Sequence, residues 1–76
     1  MAAFVMIQIG NAGDLNALHM ALHAVAGVKT VHFLAGPTDV LALIEGEDLS
    51  ALTATVAQIR AVPGVASTDT RVVLPL

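Results

Sequence analysis

The chain has 76 residues, 57% of them hydrophobic and 12% charged, with three basic side chains against six acidic ones, a net charge of −3 and no cysteine. That composition excludes disulfides and thiolate metal sites, and its three scattered bases, Lys29, Arg60 and Arg71, cannot neutralise a run of nucleic-acid phosphates. No apolar run reaches the roughly 18–20 residues of a membrane helix, and the start, Met-Ala-Ala-Phe-Val, lacks the basic region of a secretory signal, so the expectation is a soluble cytoplasmic protein of one domain, residues 1–76.

Residues 3–9 (Ala-Phe-Val-Met-Ile-Gln-Ile) read as a first strand, β-branched and nearly all apolar. Gly10-Asn11-Ala12-Gly13 breaks it. From about Asp14 to Ala26, Leu15, Leu18, Leu22 and Val25 fall at i, i+3, i+7 and i+10, one stripe of a helix. Asn11, Gly13 and Asp14 are all candidate caps. Gly27 stands where a helix C-terminal glycine belongs, and Val28 to Ala35 form a second strand. The link Gly36-Pro37-Thr38-Asp39 leads into a third strand, Val40 to Ile44. Glu47-Asp48 suits a helix start, and Leu49, Leu52, Val56 and Ile59 repeat the helical stripe up to Pro63-Gly64. A fourth strand runs from about Ala66 to Leu74.

Ala24-Val25-Ala26-Gly27-Val28 recurs 37 positions later as Ala61-Val62-Pro63-Gly64-Val65, each copy marking a helix end, a turn and a strand start. The chain is therefore two β-α-β halves in the order βαββαβ. Right-handed crossovers make this an α+β, ferredoxin-like fold: a four-stranded antiparallel sheet with two helices on one face. Such a sheet normally alternates apolar and polar residues. Here Ala3, Val5, Ile7 and Ile9 point one way and Phe4 and Met6 the other. In the third strand Leu41 and Leu43 oppose Val40, Ala42 and Ile44. Two apolar faces in so small a chain predict sheet-on-sheet packing with a second copy, a dimeric α/β-barrel type of assembly.

Residues with chemical potential are few. His19 and His23, at i and i+4, match the spacing of helical metal pairs. However, residue 20 is Met where a zincin carries Glu, so they read as solvated or interface histidines and no metal is expected. His32, in the second strand, reads as a partly buried, hydrogen-bonded histidine rather than a general base. Ser50 and Ser67 lack a nucleophile motif, no phosphate-binding loop occurs, and Glu45, Glu47 and Asp48 are explained by a strand end and a helix cap. No catalytic residue and no cofactor are expected. Gly36-Pro37-Thr38-Asp39 is a turn by composition. It is also a candidate contact: glycine lets a ligand approach backbone N–H groups, and Asp39 can accept from an ammonium or order the loop.

The link Ala35-Gly36-Pro37-Thr38-Asp39-Val40, the triplet Pro63-Gly64-Val65 and the ending Thr68-Asp69-Thr70-Arg71-Val72-Val73-Leu74 resemble the effector-binding domain of the Lrp/AsnC transcription regulators, also called the regulator of amino-acid metabolism domain. The resemblance covers nearly the whole chain. Family members usually carry an N-terminal helix-turn-helix, whereas this sequence starts at the first strand, so it looks like a stand-alone version without its own DNA-binding part. The resemblance implies a non-enzymatic module that binds an amino acid or related small effector and dimerises through its sheet. It implies assembly into octamers or similar rings and co-assembly with full-length regulators. It places Gly36, Pro37, Thr38 and Asp39 in the ligand loop and matches Thr68 and Thr70 to positions that reach the pocket from a neighbouring subunit. The position before the loop aspartate is often aromatic in the family and is Thr38 here. Two other families share the element order, and fold alone does not separate them. One comprises small dimeric α/β-barrel monooxygenases or isomerases, which would use His32 or His19. The other is the ACT type of amino-acid-binding module, whose ligand would sit at Gly10-Asn11-Ala12-Gly13.

Overall fold

The computed structural model describes all 76 residues, Met1–Leu76. Its elements are β1 (Ala2–Ile9), α1 (Leu15–Ala24), β2 (Val28–Phe33), β3 (Val40–Glu45), α2 (Leu49–Arg60) and β4 (Val65–Val72). The four strands form one sheet in the order β2-β3-β1-β4 with every neighbouring pair antiparallel, which confirms the βαββαβ ferredoxin-like fold. Neither helix is long and apolar enough to cross a membrane.

Strand alternation decides the core. Ala3, Val5 and Ile7 of β1, Val31 of β2 and Val40, Ala42 and Ile44 of β3 are buried, and they meet Leu18 and Leu22 of α1 and Leu52 and Ile59 of α2. Each fully buried Leu, Ile or Val contributes about 1.5–3 kcal/mol. Leu15 and Leu49, expected in the helical stripes, are more than half exposed: they stand in the first turn of each helix and border open hollows beside the edge strands β2 and β4.

Both helix starts use an aspartate. The Asp14 carboxylate accepts from the N–H groups of Asn16 and Ala17, which singles it out among the three candidate caps, and Asp48 accepts from Ala51 N–H. The repeated turn is the same structure twice. Val25 and Val62 donate to Leu22 and Ile59, and Val28 and Val65 donate back to the carbonyls of Val25 and Val62. Gly27 and Gly64 both lie in the left-handed region, at φ +95° and +100°.

Several boundaries differ from the sequence reading. β2 stops at Phe33; in register with the Phe33–Val40 pair, Leu34 N–H donates to the Asp39 carbonyl at 2.8 Å and closes a six-residue turn, Leu34–Asp39. β4 starts at Val65 and ends at Val72, and α1 ends at Ala24.

Candidate functional site

The turn between β2 and β3 lies at one end of the sheet and is braced from below. β1 pairs with β3 only as far as Ile7–Val40, so the Ile9 N–H has no β3 carbonyl to meet. The Asp39 carboxylate supplies the acceptor, at 2.9 Å. The Gln8 side-chain amide donates to the Pro37 carbonyl. Of the two roles weighed for Asp39, ordering the loop is therefore the one visible in the structure. Gly36 (φ +136°) and Pro37 form the exposed tip, with nothing within 4 Å of the point where a Gly36 side chain would start, while Thr38 and Asp39 are half-buried. Sequence reasoning does not single out Gln8 as a loop-holding residue. The signal for it is that Gln8 is the one polar residue in an apolar strand.

Thr68 and Thr70 lie elsewhere in the chain. They pair with Ile7 and Val5 across the β1–β4 ladder and so face the helix side of an edge strand. Val40, Ile7 and Thr68 stand in one cross-strand row, which places Thr68 about 10 Å from Val40 with β1 between them. Thr70 lines a shallow cavity of about 150 Å³ with Leu49, Leu52, Thr53, Val56 and Val72, beside α2. One chain thus keeps Gly36–Asp39 together and holds both threonines apart from them.

The loop after β1 has its own geometry. Gly10 donates to the Gly64 carbonyl at 2.8 Å, and Asn11, Gly13, Asp14, Ala17, Pro63 and Gly64 border a cavity of about 280 Å³ at the start of α1. The cap occupies this site: Asp14 already takes two of the helix's free N–H groups and puts a negative charge where a ligand carboxylate would bind.

The histidines separate by face. Phe33 shares the helix side of β2 with Val31, and His19 of α1 packs against it, ring centroids 5.7 Å apart. His32 alternates to the opposite, open side, where it is exposed rather than partly buried, and no hydrogen bond holds its side chain. The open side has an ordered composition. Its two cross-strand rows read His32-Leu41-Met6-Asp69 and Thr30-Leu43-Phe4-Arg71, with apolar residues on the central strands and polar ones on the edges. Arg71 and Asp69 form an exposed ion pair at that rim, 3.1 Å.

A helix-backed antiparallel sheet with a braced end loop defines a small domain of ferredoxin-like fold. Residues 2–75 match the model of the Lrp/AsnC ligand binding domain, and the chain belongs to that family. Among solved structures it is similar to TTHA0845 from Thermus thermophilus, at 30% identity and a TM-score of 0.86 over 99% of this chain and 94% of that one. It is also similar to the transcriptional regulator NMB0573 from Neisseria meningitidis, solved with L-methionine (24% identity, TM-score 0.84), covering 96% of this chain and 49% of that one. The feast or famine regulatory protein of M. tuberculosis, likewise complexed with L-methionine, matches at 21% identity and a TM-score of 0.82, over 99% of this chain and 50% of that one. A search of curated proteins returns no match.

Proposed function

We propose that this domain binds an amino acid or a related small effector between copies of itself, and that occupancy tunes an assembly used in transcription regulation. The observation that carries the reading is the Leu34–Asp39 turn, whose exposed Gly36-Pro37 tip is held by the contacts of Asp39 and Gln8 with β1. A rigid loop with accessible backbone is suited to reading a small polar ligand. L-Methionine in two relatives of the same fold makes a free amino acid the first class to test.

Assembly is part of the proposal. The central apolar stripe of Phe4, Met6, Leu41 and Leu43, rimmed by Thr30, His32, Asp69 and Arg71, has the layout of a protein interface. Two such sheets packed face to face make a dimer, and dimers joining into a ring bring Thr68 and Thr70 of one copy toward Gly36–Asp39 of another. In this reading the domain, residues 1–76, works in the cytoplasm and joins full-length regulators that carry the DNA-binding part. No catalysis is assigned to it: His32 is exposed with no hydrogen bond to orient its ring, and His19 packs against Phe33 on the other side of the sheet. The ACT-type alternative is disfavoured by the Asp14 carboxylate at the start of α1.

Native mass spectrometry with and without a mixture of amino acids tests the proposal. The expected result is a dimer-based assembly that gains the mass of one amino acid per subunit. An assembly that takes up none removes the ligand half of the reading, and a monomer removes both halves.

A further inference from the structure

His19 and His23 belong neither to the core nor to the proposed ligand loop, and their geometry adds what their spacing lacked. The two imidazoles lie edge to face on successive turns of α1, ring centroids 4.7 Å apart and planes inclined at 75°. A metal ion about 2.1 Å from a coordinating imidazole nitrogen lies about 3.2 Å from that ring's centroid. Two rings on adjacent positions of one ion then have centroids about 4.5 Å apart at a right angle and about 5.2 Å apart at the tetrahedral angle. The observed separation falls between these limits. His19 is half-buried and steadied by the Phe33 ring edge, whereas His23 is exposed, so one ligand is positioned and the other is free to close on an ion. Beside His19, Leu15, Asn16, Val31 and Phe33 border an open cavity of about 340 Å³ that His23 does not line, so His19 is reached by solvent.

We propose that His19 and His23 form a chelating pair for one borderline divalent cation of the Cu(II), Ni(II) or Zn(II) class. Imidazole suits these ions, and Cu(II) binds most tightly among them. No third His, Cys, Asp or Glu of the chain joins the pair. The ion therefore keeps open positions for water or for a donor from a neighbouring subunit. The site lies on the opposite side of the sheet from the Phe4–Leu41 stripe, so metal binding and sheet-on-sheet pairing use separate surfaces.

The test is titration of the tag-free full chain with CuCl2 in a non-coordinating buffer, followed by calorimetry and electron paramagnetic resonance. The expected result is one Cu(II) per chain with two coordinating nitrogens. His23→Ala, a change at an exposed position, weakens binding by about tenfold or more, because the second imidazole acts as an intramolecular ligand. His32→Ala leaves binding unchanged, and circular dichroism verifies folding of each variant. His19→Gln provides a second route if its packing against Phe33 matters. Wild-type affinity in the His23→Ala protein, loss of binding in His32→Ala, or a one-nitrogen spectrum overturns the proposal.

Discussion

Asp39 illustrates how much one side chain can settle. Its carboxylate meets an N–H that the β1–β3 ladder leaves without a partner, and its own carbonyl receives Leu34 N–H. Asp39→Ala strips the acceptor from Ile9 N–H and is expected to cost about 1–2 kcal/mol. Asp39→Asn keeps an oxygen there and is expected to cost less than half as much. Urea unfolding at one fixed protein concentration measures both, since the stability of an oligomer depends on concentration. Equal losses in the two variants would mean that the charge matters here rather than the hydrogen bond. Asp39 and its neighbour Gly36 were both visible in the sequence as turn residues. The partner at Ile9 was not, because the two lie 30 positions apart and meet only through sheet register.

At the scale of elements, the two halves of the chain share one turn. Val25 to Val28 and Val62 to Val65 make the same hydrogen bonds around a left-handed glycine. The environments differ, however. A Cβ on Gly27 would sit 2.6 Å from the Thr55 hydroxyl and 3.1 Å from the Glu45 carbonyl oxygen. Thr55, the single buried polar residue, uses that hydroxyl to donate to Ala26 and Ala51 carbonyls, so α2 is locked against the first turn. Gly27→Ala combines backbone strain with this clash and is expected to destabilise by about 2 kcal/mol or more. A thermal melt that leaves the midpoint unchanged would show that α2 moves aside at no cost. Element order and type were legible because hydrophobic periodicity is local. The strand ends were less so: β2 stops two residues early, at the turn that the Leu34 N–H to Asp39 bond closes, a contact that periodicity does not encode.

The whole molecule is governed by the open side of its sheet. Phe4 is 41% exposed, and with Met6, Leu41 and Leu43 it forms an apolar centre with polar edges. Leu41→Asp places a charge in the middle of that stripe. Under the proposed sheet-on-sheet pairing, sedimentation velocity is expected to show a dimer for the wild type and a folded monomer for the variant, because an unpaired charge buried in an apolar interface costs several kcal/mol. A dimer that survives Leu41→Asp would move the interface to another surface. The sheet-face argument was available from alternation alone. The polar rim was not, since His32, Asp69 and Arg71 become edge residues only once the strand order is known.

The sequence by itself determined the element order, the Glu47-Asp48 start of the second helix, the apolar character of both sheet faces and the family pattern around Gly36–Asp39, all of them properties carried by short spacings; for the first helix it left Asn11, Gly13 and Asp14 as candidate caps. Only the tertiary structure decided what depends on long-range register. It turned Asp39 and Gln8 into braces for one loop, and it placed Thr68 and Thr70 two strands away from that loop, so that a shared pocket requires a second copy. It also put His32 across the sheet from His19 and brought the His19 and His23 rings to 4.7 Å. Spacing along a helix allows the two rings to meet, but the packing of His19 on Phe33 sets where they do.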